Sequence, residues 1–352
     1  MVRLGSHEYV QTLRGQTLRF PNLDFPLKDW PKGLSPHYED LRMVQHTELR
    51  KLVGAGKAYD VCAATDCAYL VAAWFPNASW DALRLASQII TFLYLWDDAI
   101  DSPELTDMVH DLGASHRFRQ ETRDQFNRYL ADEPAPVEAN DSQLSPPLRS
   151  FIPVGEALAF RTTKGQRAQI LSELHKYVDA CEYEQLSELS GQAPAIEEYL
   201  RRRMGTSAVG FVVASLEYIT GIDLGDMIRS DEYVKAVFDE TVFNIAIVND
   251  LFSLRRELQH PFYNNAVAVL YHQYQELQTA VDETYRIILR GIEQLEDAGK
   301  LALKRFPERH EDLSAWIEGC KNMCTGNVLW SLHNARYALG VKAVDGTTEI
   351  TI

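Results

Sequence analysis

Apolar residues recur at three- and four-residue spacing through most of the 352-residue chain, the period of helices that turn one face to a core. A first run extends from Gly56 to Phe75 and stops at Pro76. Ser79 then caps a run from Trp80 through Asp98, with Asp81 in the first turn, where the helix dipole favours negative charge. From Gln166 to Leu189, apolar or small residues fall at 170, 171, 174, 178, 181 and 189, and Gly191 and Pro194 end the pattern. Ser230 begins another run that continues through Glu257, until His260-Pro261 breaks it. No stretch alternates as a strand between hairpin turns, no segment repeats, and no glycine-rich loop follows a strand. Residues 132–153 have linker composition and read as a long surface connection, because the helices on either side are alike. The pattern predicts an all-α fold, a single helical domain over residues 1–340 followed by a flexible tail at 341–352.

Charge and cysteine content narrow the class. Asp and Glu number 50 against 35 Lys and Arg, a formal charge of −15, which argues against a surface for nucleic acid or an anionic membrane, since either needs a basic face. An anionic substrate would therefore require clustered arginines or a divalent metal. The odd cysteine count (Cys62, Cys67, Cys181, Cys320, Cys324) suits reduced thiols and a cytoplasmic protein. No apolar run has the length of a signal peptide or a membrane span; the longest candidate, Ala208 to Ile222, is interrupted by Glu217. Monomer and homodimer both fit these features.

Two motifs carry candidate chemistry. The first is LWDDAIDS, with Asp97, Asp98 and Asp101 at the end of the Trp80 helix. Asp97 and Asp101 are four apart and share a helical face, where they repel unless a cation lies between them. The helix leading into them is apolar around most of its circumference, so the carboxylates sit at the lip of an interior. The second is NDLFSLRRE, in which Asn249, Ser253 and Glu257 form a stripe at i, i+4 and i+8 after the apolar segment TVFNIAIV. An amide oxygen, a hydroxyl and a carboxylate make a hard, oxygen-only donor set of the kind that suits Mg²⁺ or Mn²⁺. A polar stripe on a buried helix requires partners.

In combination, an aspartate-rich DDxxD and an NDxxSxxxE about 150 residues later in a helical chain resemble the class I terpene synthases. The segments YLRRRMGTS, WSLHNARY, WPKGLSPHYEDLR and AAWFPNASWDALRLASQIITFLYLWDD extend the likeness over residues 20–337, and to the fungal sesquiterpene synthases in particular. The resemblance implies the terpenoid synthase α-helical bundle and three Mg²⁺ ions, with Mn²⁺ as a possible substitute. It assigns Asp97 as the main ligand of two ions, Asp98 and Asp101 as ligand or support, and Asn249, Ser253 and Glu257 as the ligands of the third. Arg203, 46 residues before Asn249, takes the place of the diphosphate-sensing arginine, with Arg202 next. Ser207, or Gly205 in a shifted register, is the small residue at the helix break after it. Arg256 stands where a lysine is usual, and Arg336 and Tyr337 complete the diphosphate clamp.

The implied substrate is a prenyl diphosphate, whose allylic cation must be kept from water in an apolar cavity with aromatic faces. Leu93 and Tyr94, one turn before Asp97, and Trp330 are the candidates for its lining, with core packing the alternative role for each aromatic; Phe92 and Trp96 also precede the motif. The expected activity is cyclisation of farnesyl diphosphate to a sesquiterpene, with geranylgeranyl diphosphate as the alternative substrate. A chain-elongating prenyltransferase would carry a second DDxxD and basic residues after the first, whereas SPELTDMVHD follows Asp101.

Overall fold

The computed structural model describes residues 12, 13, 15–102, 105–132, 143–258, 264–334, 337 and 346–351. Its helices are α1 (Tyr38–Val53), α2 (Lys57–Ala64), α3 (Cys67–Trp74), α4 (Trp80–Asp101), α5 (Leu112–Leu130), α6 (Pro146–Arg161), α7 (Lys164–Ser190) and α8 (Ile196–Thr206). They continue with α9 (Val209–Ala214), α10 (Leu216–Thr220), α11 (Gly225–Arg229), α12 (Glu232–Glu257), α13 (Ala266–Tyr274), α14 (Leu277–Arg305) and α15 (His310–His333). The all-α expectation holds, and the long predicted runs correspond to α4, α7 and α12. Ser79 accepts from the Ala82 amide at 3.4 Å and starts α4, which runs on to Asp101. Gly191, left-handed at φ 66°, ends α7.

Four local readings are corrected. The Gly56–Phe75 run is two helices, because Asp66 turns left-handed (φ 46°) and its carboxylate caps α3 by accepting from the Tyr69 amide at 3.1 Å. The run assigned to a start at Ser230 begins one residue later, where Asp231 accepts from the amides of Tyr233 and Val234. Residues 146–153, read as connection, belong to α6: Ser145 stands at its N-cap and proline occupies the first turn, where a missing N–H is no loss. Finally, Thr17–Phe20 (β1) and Thr348–Thr351 (β2) pair antiparallel, so part of the expected tail is a strand. Four residues a side are too few to show as alternation in sequence, yet the pairing buries Leu18, Phe20 and Ile350.

The central α12 packs against α14, α15, α8 and α9, while α4 lies on α6, and α7 on α8 and α9. One buried cluster runs through all of these, with Trp96, Trp330, Tyr177, Tyr199, Phe92, Phe126 and Phe151 among its largest side chains. No helix among the described residues is long and apolar enough to cross a membrane.

Where α12 meets α14 the core holds an acid. Glu240 Oε2 and Asn244 Oδ1, one turn apart, are buried acceptors without a donor beside the bare Cα of Gly291. Burial, then the neighbouring Asp239 charge, raises the Glu240 pKa to about 7. The folded chain therefore binds this proton more tightly than the unfolded chain, and the stability it contributes is lost as pH rises from about 4.5 through about 7. Glu240→Gln, which replaces the proton with an amide donor, is expected to gain about 1 kcal/mol at pH 8 and little at pH 5. Urea unfolding at the two pH values checks this; an equal gain at both would show that the proton is not the cause.

Candidate active site

The apolar face of α4 carries its last turn to the edge of the core. Leu93 and Trp96 are buried, while Asp97 and Asp98 are half-buried. Trp96 is fixed by an indole N–H bond to Thr122 Oγ1 at 2.8 Å, and its ring meets Tyr177 at 4.7 Å. Tyr177 donates to Asp97 Oδ1 at 3.4 Å. Asp101, at the end of α4, is exposed, yet the protein packed around it and then the charges of Asp97, Glu184 and Glu188 push its carboxyl well above the usual range.

The second motif is wired to two of the other predicted positions. Arg203 on α8 donates from Nη2 to Asn249 Oδ1 at 2.9 Å and from Nε to Asp250 Oδ1 at 2.8 Å. Asn249 in turn donates from Nδ2 to Tyr337 Oη at 2.9 Å. Three residues 46 and 88 positions apart in sequence thus form one chain of hydrogen bonds. Asp250 anchors the chain from below: fully buried, it also accepts from Tyr199 Oη at 2.6 Å and the Ala266 amide at 2.9 Å. Burial works against the Arg203 charge, but Asp250 overrides it and holds that guanidinium proton above the ordinary arginine range.

The remaining positions divide as follows. Ser253 is buried and its Oγ has no partner, and Glu257 accepts from Asn265 Nδ2 at 2.8 Å. Arg256 is half-buried, with its Nε also lacking an acceptor. The helix break after Arg203 falls at Ser207, which caps α8, and at Ala208, which is left-handed at φ 56°. Gly205 lies inside α8 against Ala180, where a Cβ would approach to 2.5 Å, so the shifted register does not coincide with the break. Trp330 is buried, its indole N–H bonded to the Thr65 carbonyl at 2.9 Å and its ring edge-on to Tyr337 at 5.5 Å. Tyr94 is half-buried and touches a satellite cluster of Leu49, Cys62 and Leu95, and Phe92 packs on Phe126 and Phe151. Arg336 lies outside the described residues.

Sequence reading missed a third contributor, α7. Tyr177, Glu184 and Glu188 recur along it at near-helical spacing, a stripe visible only once the apolar positions 174, 178 and 181 are set aside as core. Burial raises Glu184 to about 7; Arg202 and Arg203 oppose the rise, and Asp97 and Glu257 add to it. Glu184 therefore lies within electrostatic reach of both motifs. Glu188 is raised to about 8 by burial and by Glu184, and it accepts from Asn264 Nδ2. Tyr199 was also missed, although its place four residues before Arg203 puts both on one face of α8.

Among the described residues no three acidic, histidine or cysteine side chains close on a common point. The unpartnered Ser253 hydroxyl, in line with the amide oxygen of Asn249 and the carboxylate of Glu257, nonetheless fits a hard divalent ion in donor chemistry. A separate cavity of about 610 Å³ lies at the opposite end of α4, beside Trp74, Ser79, Asp81 and Asn322, and touches none of the motif residues.

The helical bundle carries an acidic end on α4 and an Asn-Ser-Glu stripe on α12, and its fold is that of the class I terpenoid synthases. The crystal structure of α-eudesmol synthase superposes with a TM-score of 0.73 at 18% identity, covering 87% of this chain and 97% of that one. The family model described as terpene synthase family 2, C-terminal metal binding, matches residues 88–294. Sesquiterpene cyclase hepA of Aspergillus oryzae is 30% identical over 336 residues, covering 92% of this chain and 90% of its own. Germacrene A synthase of Nostoc punctiforme is 25% identical over 278 residues, 76% of this chain and 80% of its own. The chain belongs to terpene synthase family 2 and is a class I terpene cyclase.

Proposed function

We propose that the protein ionises farnesyl diphosphate with the aid of Mg²⁺, closes the resulting allylic cation into a cyclic sesquiterpene and releases diphosphate. The observation that carries this reading is the hydrogen-bonded chain Arg203–Asn249–Tyr337 at the edge of an apolar interior. It joins a positive charge for the leaving group, an oxygen donor for a metal and a phenol within one array. The name of the relative at 30% identity, a sesquiterpene cyclase, favours a C15 substrate over the C20 alternative.

Bound Mg²⁺, held by Asp97 with Asp98 and Asp101 on one side and by Asn249, Ser253 and Glu257 on the other, would offset the diphosphate charge as the C–O bond breaks. The protein's own part begins with Arg203. Kept charged by Asp250, it offers N–H groups fixed before the substrate arrives, so little reorganisation is needed as negative charge develops on the leaving oxygen. Tyr337, bonded to Asn249, belongs to the same array, and the resemblance gives Arg336 the part of completing the diphosphate clamp with it. Leu93 and Trp330, both buried, wall the hydrocarbon away from water, and an aromatic face such as that of Trp330 can stabilise the cation. Ser207 stands at the break that ends the Arg203 helix, and the resemblance adds Tyr94 to the cavity lining and Arg256 to the diphosphate contacts.

Asn249→Leu is expected to raise the Mg²⁺ concentration for half-maximal activity at least about tenfold and to slow turnover sharply. Diphosphate release from farnesyl diphosphate, titrated with Mg²⁺, tests both this and the overall reading. Release that persists in EDTA would remove the metal from the mechanism, and an unchanged Mg²⁺ requirement in the variant would remove Asn249 from the ligand set.

A further inference from the structure

In an unbroken helix each carbonyl accepts from the amide four residues on. At the break between α2 and α3 that pairing fails for Thr65. The Tyr69 amide turns instead to the carboxylate and the carbonyl of Asp66, both at 3.1 Å. The Thr65 carbonyl is thereby released within a fully buried residue, where an unmet acceptor is costly. Two donors from the end of α15 meet it: the Trp330 indole N–H at 2.9 Å and the Asn334 side-chain amide at 2.8 Å.

The same end of α15 is seated on α3 along its length. The bare Cα of Gly326 lets the two helices approach so closely that a Cβ there would stand 2.5 Å from the Ala73 carbonyl oxygen. Further on, the His333 ring stacks on Tyr69 at 4.1 Å. Asn334 is buried and ends the helix; its amide closes the last turn on the Trp330 carbonyl at 2.8 Å, and its own carbonyl accepts from the Tyr337 amide at 3.3 Å. Tyr337 lies edge-on to Trp330 and accepts from Asn249 on its hydroxyl at 2.9 Å. A continuous set of hydrogen bonds thus runs from the α2–α3 break through Asn334 to the Asn-Ser-Glu stripe on α12.

Resting on the function proposed above, we infer that Asn334 is a positioning residue: anchored to the Thr65 carbonyl that the helix break frees, it sets the place of Tyr337 against Asn249. Trp330 belongs to the body of α15 and holds the helix on Thr65. Asn334 is the first residue beyond the last turn, and its backbone carries the contact on to Tyr337. Hydrogen bonds tolerate little change in donor–acceptor distance, so a shift of about an ångström at Asn334 is enough to part Tyr337 from Asn249.

Diphosphate release from farnesyl diphosphate in Mg²⁺, measured for the full-length wild type, Asn334→Leu, Tyr337→Phe and the double variant, forms a cycle that isolates the coupling between the two residues. Asn334→Leu, similar in size but without the donor, is expected to lower kcat about tenfold or more. Its thermal transition is expected to fall by only a few degrees. In the Tyr337→Phe background, which lacks the hydroxyl that Asn334 serves to place, the same substitution is expected to cost less than about twofold. Asn334→Asp keeps the shape without the donor and carries the cycle if the leucine variant fails to fold. Losses that multiply in the double variant, as they would for a structural residue acting elsewhere, would overturn the inference while leaving the function intact. Wild-type turnover in Asn334→Leu, or loss of the fold in both Asn334 variants, would do the same. A wild-type protein that releases no diphosphate would overturn both.

Discussion

Asp97→Ala is expected to lower turnover by about a thousandfold or more, the scale at which enzymes lose activity when a preorganised charge at the reacting centre is removed. The same substitution is expected to leave the thermal transition unchanged or slightly raised. The hydrogen bond that Asp97 accepts from Tyr177 is a long one, at 3.4 Å. Its charge, on the other hand, adds to the proton affinity of Asp101, Tyr177 and Glu184, which is repulsion the fold must bear. For a residue proposed as the main metal ligand, such repulsion is the usual compromise between stability and activity. Steady-state kinetics beside a thermal melt checks both halves. Full activity in the variant would withdraw Asp97 from the metal site, and a collapsed melt would make it structural.

The largest loss of stability is expected from Asp250→Ala. This carboxylate is fully buried and accepts from Tyr199 Oη, Arg203 Nε and the Ala266 amide. Removing it leaves a buried guanidinium without its counter-charge and a backbone N–H without an acceptor, an effect of about 3–5 kcal/mol in unfolding free energy. Activity should fall as well, because Arg203 loses its seat beneath Asn249. Denaturant unfolding measures the first effect, and a loss below about 1 kcal/mol would mean that the anchoring array contributes little to the fold.

How much of this was legible in the chain depends on the range of the interaction concerned. The end of α4 and the stripe on α12 were readable because spacing of four residues along a helix fixes which side chains share a face. Arg203 and Tyr337 were found through resemblance and meet Asn249 as hydrogen-bond partners. The role of Asp250 as their anchor was not visible, since its partners come from α8 and from the start of α13, and no local pattern encodes that meeting. Glu184 and Glu188 were hidden for a related reason. They lie on a long polar-rich helix where glutamates usually face water, and only the approach of α8 and of the α4 end gives them a buried side. The break at Asp66 escaped notice because an aspartate within an apolar run is ordinarily a helix residue, whereas here its left-handed backbone and capping carboxylate restart the chain in a new direction.

Product analysis reaches the central claim most directly. The purified protein would be incubated with geranyl, farnesyl and geranylgeranyl diphosphates, each with Mg²⁺ and with EDTA, with isopentenyl diphosphate in a parallel set. The extracts would then be separated and identified by gas chromatography and mass spectrometry. The account predicts a cyclic C15 product from farnesyl diphosphate that disappears in EDTA. A cyclic C20 product alone would move the substrate to geranylgeranyl diphosphate. Lengthened prenyl diphosphates, or no product from folded protein in any tube, would contradict it.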